Sequence, residues 1–277
     1  MPVRPFAIVI ALAVAAGVAG LAGCGGGGSS ADTSARAAPP PPSATLPTTP
    51  RALAGRLSAA DAELRRAIHA WRADGQPAKG APPREVTRRA LYVQRGLRQL
   101  SRRPGLRAAT IHRLPARLTH EARELTAAMG DLRRLSAGWP AHRVRTGAAE
   151  PLGRLLAYYR AAQRRFAVGW HVLAAVNLVE SAFGRARSDS VAGARGPMQF
   201  MPSTWRTYGL GGDVRDPHDA ILGAANLLRQ AGAPGSYARA LYAYNPSPLY
   251  VDAVRRYARL IGGDGDAVFF LYAASRP

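Results

Sequence analysis

One cysteine, Cys24, and one lysine, Lys79, are found in the 277 residues of the chain. A lone thiol excludes any intramolecular disulfide, so the fold must rest on a buried core. Carboxylates are scarce as well: 17 acidic residues stand against 38 basic ones, a formal net charge of +21. Such a surplus favours anionic partners. Arginine on solvated helix faces accounts for it equally well. Aromatic residues make up only 7% of the chain, and none interleave with the arginines as a base-stacking platform would require. Nucleic acid is therefore not an expected partner. His69, His112, His120 and His142 do not share metal-ligand spacing on one helix, and no metal or cofactor is expected. Glutamate is rarest where it matters most: Glu180 is the only one between residues 151 and 277.

Apolar residues are plentiful, at 47%, enough for a sizeable core. At the N-terminus, Arg4 precedes an apolar run from Phe6 to Leu21, too short for a confident membrane span and patterned like a secretory signal. Leu21-Ala22-Gly23-Cys24 resembles the lipobox of bacterial lipoproteins. That resemblance implies cleavage of residues 1–23, lipidation of Cys24 and an exported, membrane-anchored protein held by its acyl chains. The alternative is an ordinary cleaved signal with an incidental thiol. Residues 24–50 are rich in Gly, Ser and Pro and read as a disordered tether.

Residues 51–149 form an arginine-rich helical region without a recognised role. Ser58 with Asp61 three residues on suggests a helix start, continuing to Ala73. Further helices are predicted over 84–102, 107–114 and 116–135, broken at Pro104-Gly105 and Pro115. The second carries Val86, Ala90, Val93 and Leu97 on one face; the fourth carries Leu118, Ala122, Leu125, Met129 and Leu132. The region either packs beside the rest, widens its groove or binds anionic wall polymers.

A helix is predicted over 169–183, with Val172, Val176, Val179 and Phe183 as an apolar stripe and Leu173, Asn177 and Glu180 on the adjacent one. Glu180 falls near the C-terminal end, where the helix dipole disfavours an anion, and apolar neighbours disfavour it further. Both effects raise its pKa. A carboxyl protonated near neutrality is what a general acid for glycosidic cleavage requires. A loop over 184–196, a short helix from Pro202, a loop over 209–216, helices over 217–231, 236–244 and 249–261, and an apolar tail over 268–272, either strand or packed strip, complete the chain. Asp213, Asp216 and Asp219 lack the alternation and later Glu of a calcium loop; Asp216, before Pro217, is expected to cap a helix.

Glu180-Ser181, Ser190, and Gly193 through Trp205 (GARGPMQFMPSTW), followed by Tyr244-Asn245 with Ser247, Tyr250 and Val251, resemble the signature of the lytic murein transglycosylases, with the closing YN-x-S-x-x-YV of their membrane-bound B-type branch. The resemblance spans roughly 150–262 and implies a mainly α, lysozyme-like catalytic domain over 150–277, preceded by the Arg-rich helices. It implies cleavage of the bond between N-acetylmuramic acid and N-acetylglucosamine in peptidoglycan glycan strands, ending in 1,6-anhydromuramyl products. By the same resemblance Glu180 is the catalytic residue, and Ser190, Met198, Gln199, Phe200, Tyr244, Asn245 and Tyr250 bind substrate. Tyr244 and Asn245 would orient Glu180 and the departing sugar, and the glycines would let backbone approach substrate. A hydrolase usually needs two carboxylates, ~5 Å or ~6.5–9.5 Å apart, and Glu180 has no obvious partner; Asp189 is the nearest candidate in sequence. A hydrolysing muramidase on the same fold, or a non-catalytic peptidoglycan-binding lipoprotein, are the alternatives.

Overall fold

The computed structural model describes residues 45–275, except 76, 78, 79 and 139–143. Cys24, the signal segment, most of the tether, His142 and Lys79 lie outside the described residues. Eleven helices and no sheet are found among those described.

Pro50 occupies the first turn of α1 (Pro50–Ala73), where its missing N–H is no loss. The helix therefore begins two turns before the expected Ser58 start, because Leu53, Ala54 and Leu57 already bury a full face. Ser58 is mid-helix and Asp61 is buried in an ion cluster rather than serving a cap. The tether is shorter than expected for a related reason: Leu46 packs against the core and Gln99 Nε2 donates to Pro47 O at 3.1 Å. The predicted helices over 84–102 and 116–135 appear as α2 (Arg84–Arg102) and α4 (Ala116–Leu135). Between them α3 (Pro104–Ile111) starts at the expected breaker, since proline breaks a helix only past its first turn.

The C-terminal half contains α5 (Leu152–Phe166), α6 (Trp170–Ser181), α7 (Pro202–Tyr208), α8 (Pro217–Gln230), α9 (Tyr237–Tyr244), α10 (Pro248–Gly263) and α11 (Ala267–Ala274). Two caps follow from sequence: Asp216 accepts from Asp219 N at 3.0 Å and Ser236 from Arg239 N at 3.3 Å. The expected amphipathic helix over 169–183 is instead buried nearly all round, from Val172 to Ser181, because α5, α8, α10 and α11 pack on its sides. A helix enclosed on every side needs no polar face.

The apolar tail is neither strand nor strip: α11 is a fully buried helix packed between α1, α2, α6 and α10. A short apolar run carries no periodicity to tell helix from strand. Trp71 of α1 meets Phe269 of α11 edge-on at 5.5 Å, and Tyr272 lies 5.6 Å from Phe183 beyond α6. The Arg-rich helices thus share one continuous core with the C-terminal helices.

Their charges interlock too. Arg65 of α1 lies 2.9 Å from both Glu121 of α4 and Asp264 after α10, and 3.5 Å from Asp61 and Asp266. Arg117 pairs with Asp61 and Glu121, Arg72 with Asp266 at 2.6 Å, and His69 Nε2 approaches Asp266 at 3.1 Å. On the other side Glu124 sits between Arg256 and Arg259. Packing beside the C-terminal helices is the reading of the Arg-rich region that the contacts support. No described helix is long and apolar enough to cross a membrane.

Candidate active site

Glu180 is the penultimate residue of α6 and is completely buried. Its Oε1 accepts from Tyr250 Oη at 2.7 Å, while Oε2 has no hydrogen-bond partner. Burial pushes the carboxyl up to about 8, opposed by the Tyr250 hydrogen bond. It is therefore protonated at neutral pH, and its free oxygen is the one with a proton to give. The sequence reading anticipated this direction and, of the two causes it gave, burial among apolar neighbours.

Tyr250 lies in the first turn of α10, brought against α6 by the packing of those two helices. Its hydroxyl is committed to the acid itself. Tyr244, expected to orient Glu180, instead donates to the Met198 carbonyl at 2.6 Å. Its ring stacks on that of Tyr250, 6.4 Å away and tilted by 3°. Burial and the neighbouring Glu180 raise both phenols well above the usual tyrosine range, so both stay protonated donors.

Met198 and Phe200, expected to offer faces to sugar rings, are buried in the core. Phe200 packs on Trp205 at 5.0 Å and Tyr244 at 5.9 Å. Apolar side chains in this loop find more contact area inward than toward solvent. Gln199 between them has φ +50°, a left-handed conformation, and its Nε2 donates to Gly196 O at 2.9 Å while its Oε1 has no partner. Asn245, after α9, is buried with Nδ2 unpartnered. Ser190 is taken up by its own loop: its Oγ accepts from Ala194 N at 2.9 Å. Glu180, Gln199 and Asn245 thus each bury a side-chain atom with its hydrogen bond unmade, a condition native folds rarely tolerate without a function or a ligand.

Sequence reasoning missed the network that fixes the loop to α6. Tyr159 Oη of α5 donates to Asn177 Oδ1 at 2.6 Å, Asn177 Nδ2 donates to Pro197 O at 2.8 Å, and Ser181 Oγ donates to the same carbonyl at 2.5 Å. Asn177 is one turn before Glu180, and a buried amide on so apolar a helix was the available signal. Gly196 has φ +72°, and a Cβ there would sit 1.8 Å from Val214 O. Its close approach is to the 209–216 loop. Ala182 and Phe183, at φ +53° and +62°, turn the chain left-handed just after the acid. Non-glycine residues seldom adopt this region, and such strain gathers at functional sites.

Asp189, the candidate second carboxylate, is held by Arg215 Nη2 at 2.9 Å and 3.0 Å and by Arg195 at 3.6 Å on an exposed edge. Among the described residues, no other carboxylate contributes to the raised pKa of Glu180. Asp216, His218 and Asp219 bring one potential ligand atom each within 4.8 Å of one another. Their groups close the loop onto α8: Asp216 accepts from Asp219 N, Asp219 Oδ2 from Asp213 N at 3.0 Å, and His218 Nδ1 is 3.3 Å from Asp219 Oδ1.

The described residues form an all-helical fold that buries the carboxyl of Glu180 completely. Residues 157–260, from mid-α5 to late α10, match the family model of the Transglycosylase SLT domain, a lysozyme-like all-α fold. The matched segment contains Glu180, Ser190, Gln199, Tyr244, Asn245 and Tyr250. It supports the lytic transglycosylase family and points to peptidoglycan as substrate. No solved structure matches the chain.

Proposed function

We propose that the protein is a lytic transglycosylase that cleaves the bond between N-acetylmuramic acid and N-acetylglucosamine and leaves 1,6-anhydromuramyl ends. The observation that carries this reading is Glu180: a buried carboxyl, protonated at neutral pH, with one oxygen held and one free, and, among the described residues, no second carboxylate that contributes to its raised pKa. Oε2 donates its proton to the glycosidic oxygen, which leaves with the N-acetylglucosamine. The carboxylate so formed accepts the proton of the C6 hydroxyl on the muramyl ring, whose oxygen closes onto C1. Glu180 ends protonated, as it began, and no water is consumed. One carboxyl serves both steps because the nucleophile belongs to the substrate. Tyr250 holds the acid by Oε1 and steadies the transient carboxylate. Gln199 and Asn245, each with an unmade hydrogen bond, are the groups in place to meet the sugar amides.

Mass spectrometry of purified sacculi after digestion tests this. Anhydromuramyl ends, one water lighter than muramidase products, are expected; reducing muramic ends as the main product would establish the hydrolase instead. The lipobox-like Leu21–Cys24 supports a membrane-anchored, exported protein. Cys24→Ser is expected to move it from membranes to the soluble exported fraction, or to leave it unprocessed; unchanged processing and fractionation would make the thiol incidental.

A further inference from the structure

The C-terminal end of α2 collects arginines that make no ion pair among the described residues. Arg98 and Arg102 lie one turn apart, Arg103 follows the helix, and Arg133 reaches over from α4, its Nη1 donating to Ser101 O at 3.2 Å. Asp131, two residues before Arg133, is held instead by Arg134 at 2.6 Å and Arg256 at 3.5 Å. Arg102, Arg103 and Arg133 are exposed, and Arg98 is half-buried. Burial pushes the Arg98 guanidinium below the usual arginine range; the Tyr257 phenol opposes this and the Arg102 cation adds to it. A cation withdrawn from water without a counter-ion carries a cost that an approaching anion offsets. The C-terminal dipoles of α2 and α4 favour Arg102 and Arg133 where they stand, but not Arg98, a turn earlier, nor Arg103 past the helix end.

The chain enters the fold at this same end. Gln99, next to Arg98, donates through Nε2 to Pro47 O at 3.1 Å, and Leu46 packs on the core. Cys24 precedes the first described residue, Thr45, by 21 positions. A Gly- and Ser-rich chain of that length spans roughly 25 Å. An anchor at Cys24 therefore leads into the arginine face. The guanidinium fork matches a phosphate in two-point contact. We propose that the face formed by Arg98, Arg102, Arg103 and Arg133 docks on the anionic headgroups of the lipid surface to which the chain is anchored. The choice of a lipid surface rests on the reading of Cys24 as an anchor; the arginine cluster does not. No described helix is long and apolar enough to cross a bilayer, so the contact is one of charge at its surface and weakens with salt.

Co-sedimentation with vesicles tests it, using the full chain with Cys24→Ser so that no acyl chain contributes. Phosphatidylcholine vesicles with and without phosphatidylglycerol are compared. The apolar run from Phe6 to Leu21, where retained, contributes alike to parent and variants. The parent should bind the anionic vesicles at least about tenfold more strongly than the neutral ones, and added salt should erase the difference. Arg102→Glu/Arg103→Glu/Arg133→Glu should bind them at least about tenfold more weakly than the parent, and Gln at the same three positions should shift binding in the same direction. Arg160→Glu/Arg164→Glu/Arg165→Glu makes the same change of net charge at exposed positions of α5, which packs on α6 and α8. It should bind as the parent does. Melting curves and sacculus cleavage confirm that each protein is folded. Equal binding to both vesicles, undiminished binding of the Glu and Gln variants at the end of α2, or an equal loss in the α5 variant would overturn the proposal. So would retention on soluble polyphosphate without vesicle binding, which would give the face to a wall polymer. None of these readings depends on acylation, which the fractionation of Cys24→Ser reads separately.

Discussion

Tyr250 and Glu180, seventy residues apart, share a buried hydrogen bond of 2.7 Å that ties α10 to the acid on α6. The bond favours the ionised carboxylate and so works against the burial that keeps it protonated. Tyr250→Phe removes this counterweight. The carboxyl should then titrate at higher pH, moving the alkaline limb of the activity profile upward. Leaving Oε1 without a donor should destabilise the fold by roughly 1–3 kcal/mol. A pH–rate profile on sacculi beside a urea titration checks both; an unmoved alkaline limb would deny Tyr250 its hold on the acid.

Glu180→Gln should lower glycan cleavage by ~10²–10⁴-fold or more, measured as turbidity clearance. Its stability should also change with pH in a set direction. The folded carboxyl titrates at about 8, against 4.5 for an ordinary glutamate. The folded state therefore holds the proton more tightly than the unfolded one. Stability is full below about 4.5, declines as pH rises toward 8, and is flat above it. The total is of order a few kcal/mol, since one pKa unit corresponds to about 1.4 kcal/mol. Gln does not titrate, so the variant should gain on the parent between pH 5 and pH 9. Melting temperatures at those two values decide it; a constant difference contradicts the assignment of the shift to Glu180.

Gly196→Ala should be among the most damaging single-methyl additions available. The added Cβ meets the Val214 carbonyl at 1.8 Å in a left-handed backbone. Relief requires moving the loop whose Pro197 carbonyl is held by Asn177 and Ser181. A loss of roughly 2 kcal/mol or more is expected, together with reduced cleavage. A melt within a degree of the parent would show that the loops can separate.

Arg65→Ala removes the cation at the centre of four carboxylates: Asp61, Glu121, Asp264 and Asp266. Leaving the buried carboxylates with only Arg117 and Arg72 to balance them should destabilise by up to about 3–5 kcal/mol at pH 8. Burial already holds Glu121 up to about 7 and raises Asp61. Acidification therefore neutralises the exposed repulsion, and the deficit should shrink at pH 5. Urea unfolding at both values measures this; a deficit that grows on acidification would point to lost packing instead.

Periodicity sufficed where one face of a helix is apolar and the other wet, as in α2 and α4, and short polar residues before proline or tyrosine marked the caps at Asp216 and Ser236. It failed where burial is uniform. The run Ala267–Ala274 has no polar face, so it carried no period to read. Of the site, the direction of the Glu180 shift was legible because the apolar residues around it in sequence announced its burial, although the burial itself is completed by the helices packed on α6. Tyr250 as its holder, and Met198 and Phe200 as core, were not: each depends on which helix lies opposite, a relation set by tertiary packing and absent from spacing.

Helix α11 lies beyond the segment that matches the SLT family, yet it is wedged between the arginine-rich helices and α6. The matched segment is consequently not a cassette to be cut out and expressed alone. Excision at its boundaries strips Phe183 of Tyr272 and leaves the flank of the acid-bearing helix open to water. The arginine-rich helices before it complete the same core, and the two halves should melt together as one cooperative unit.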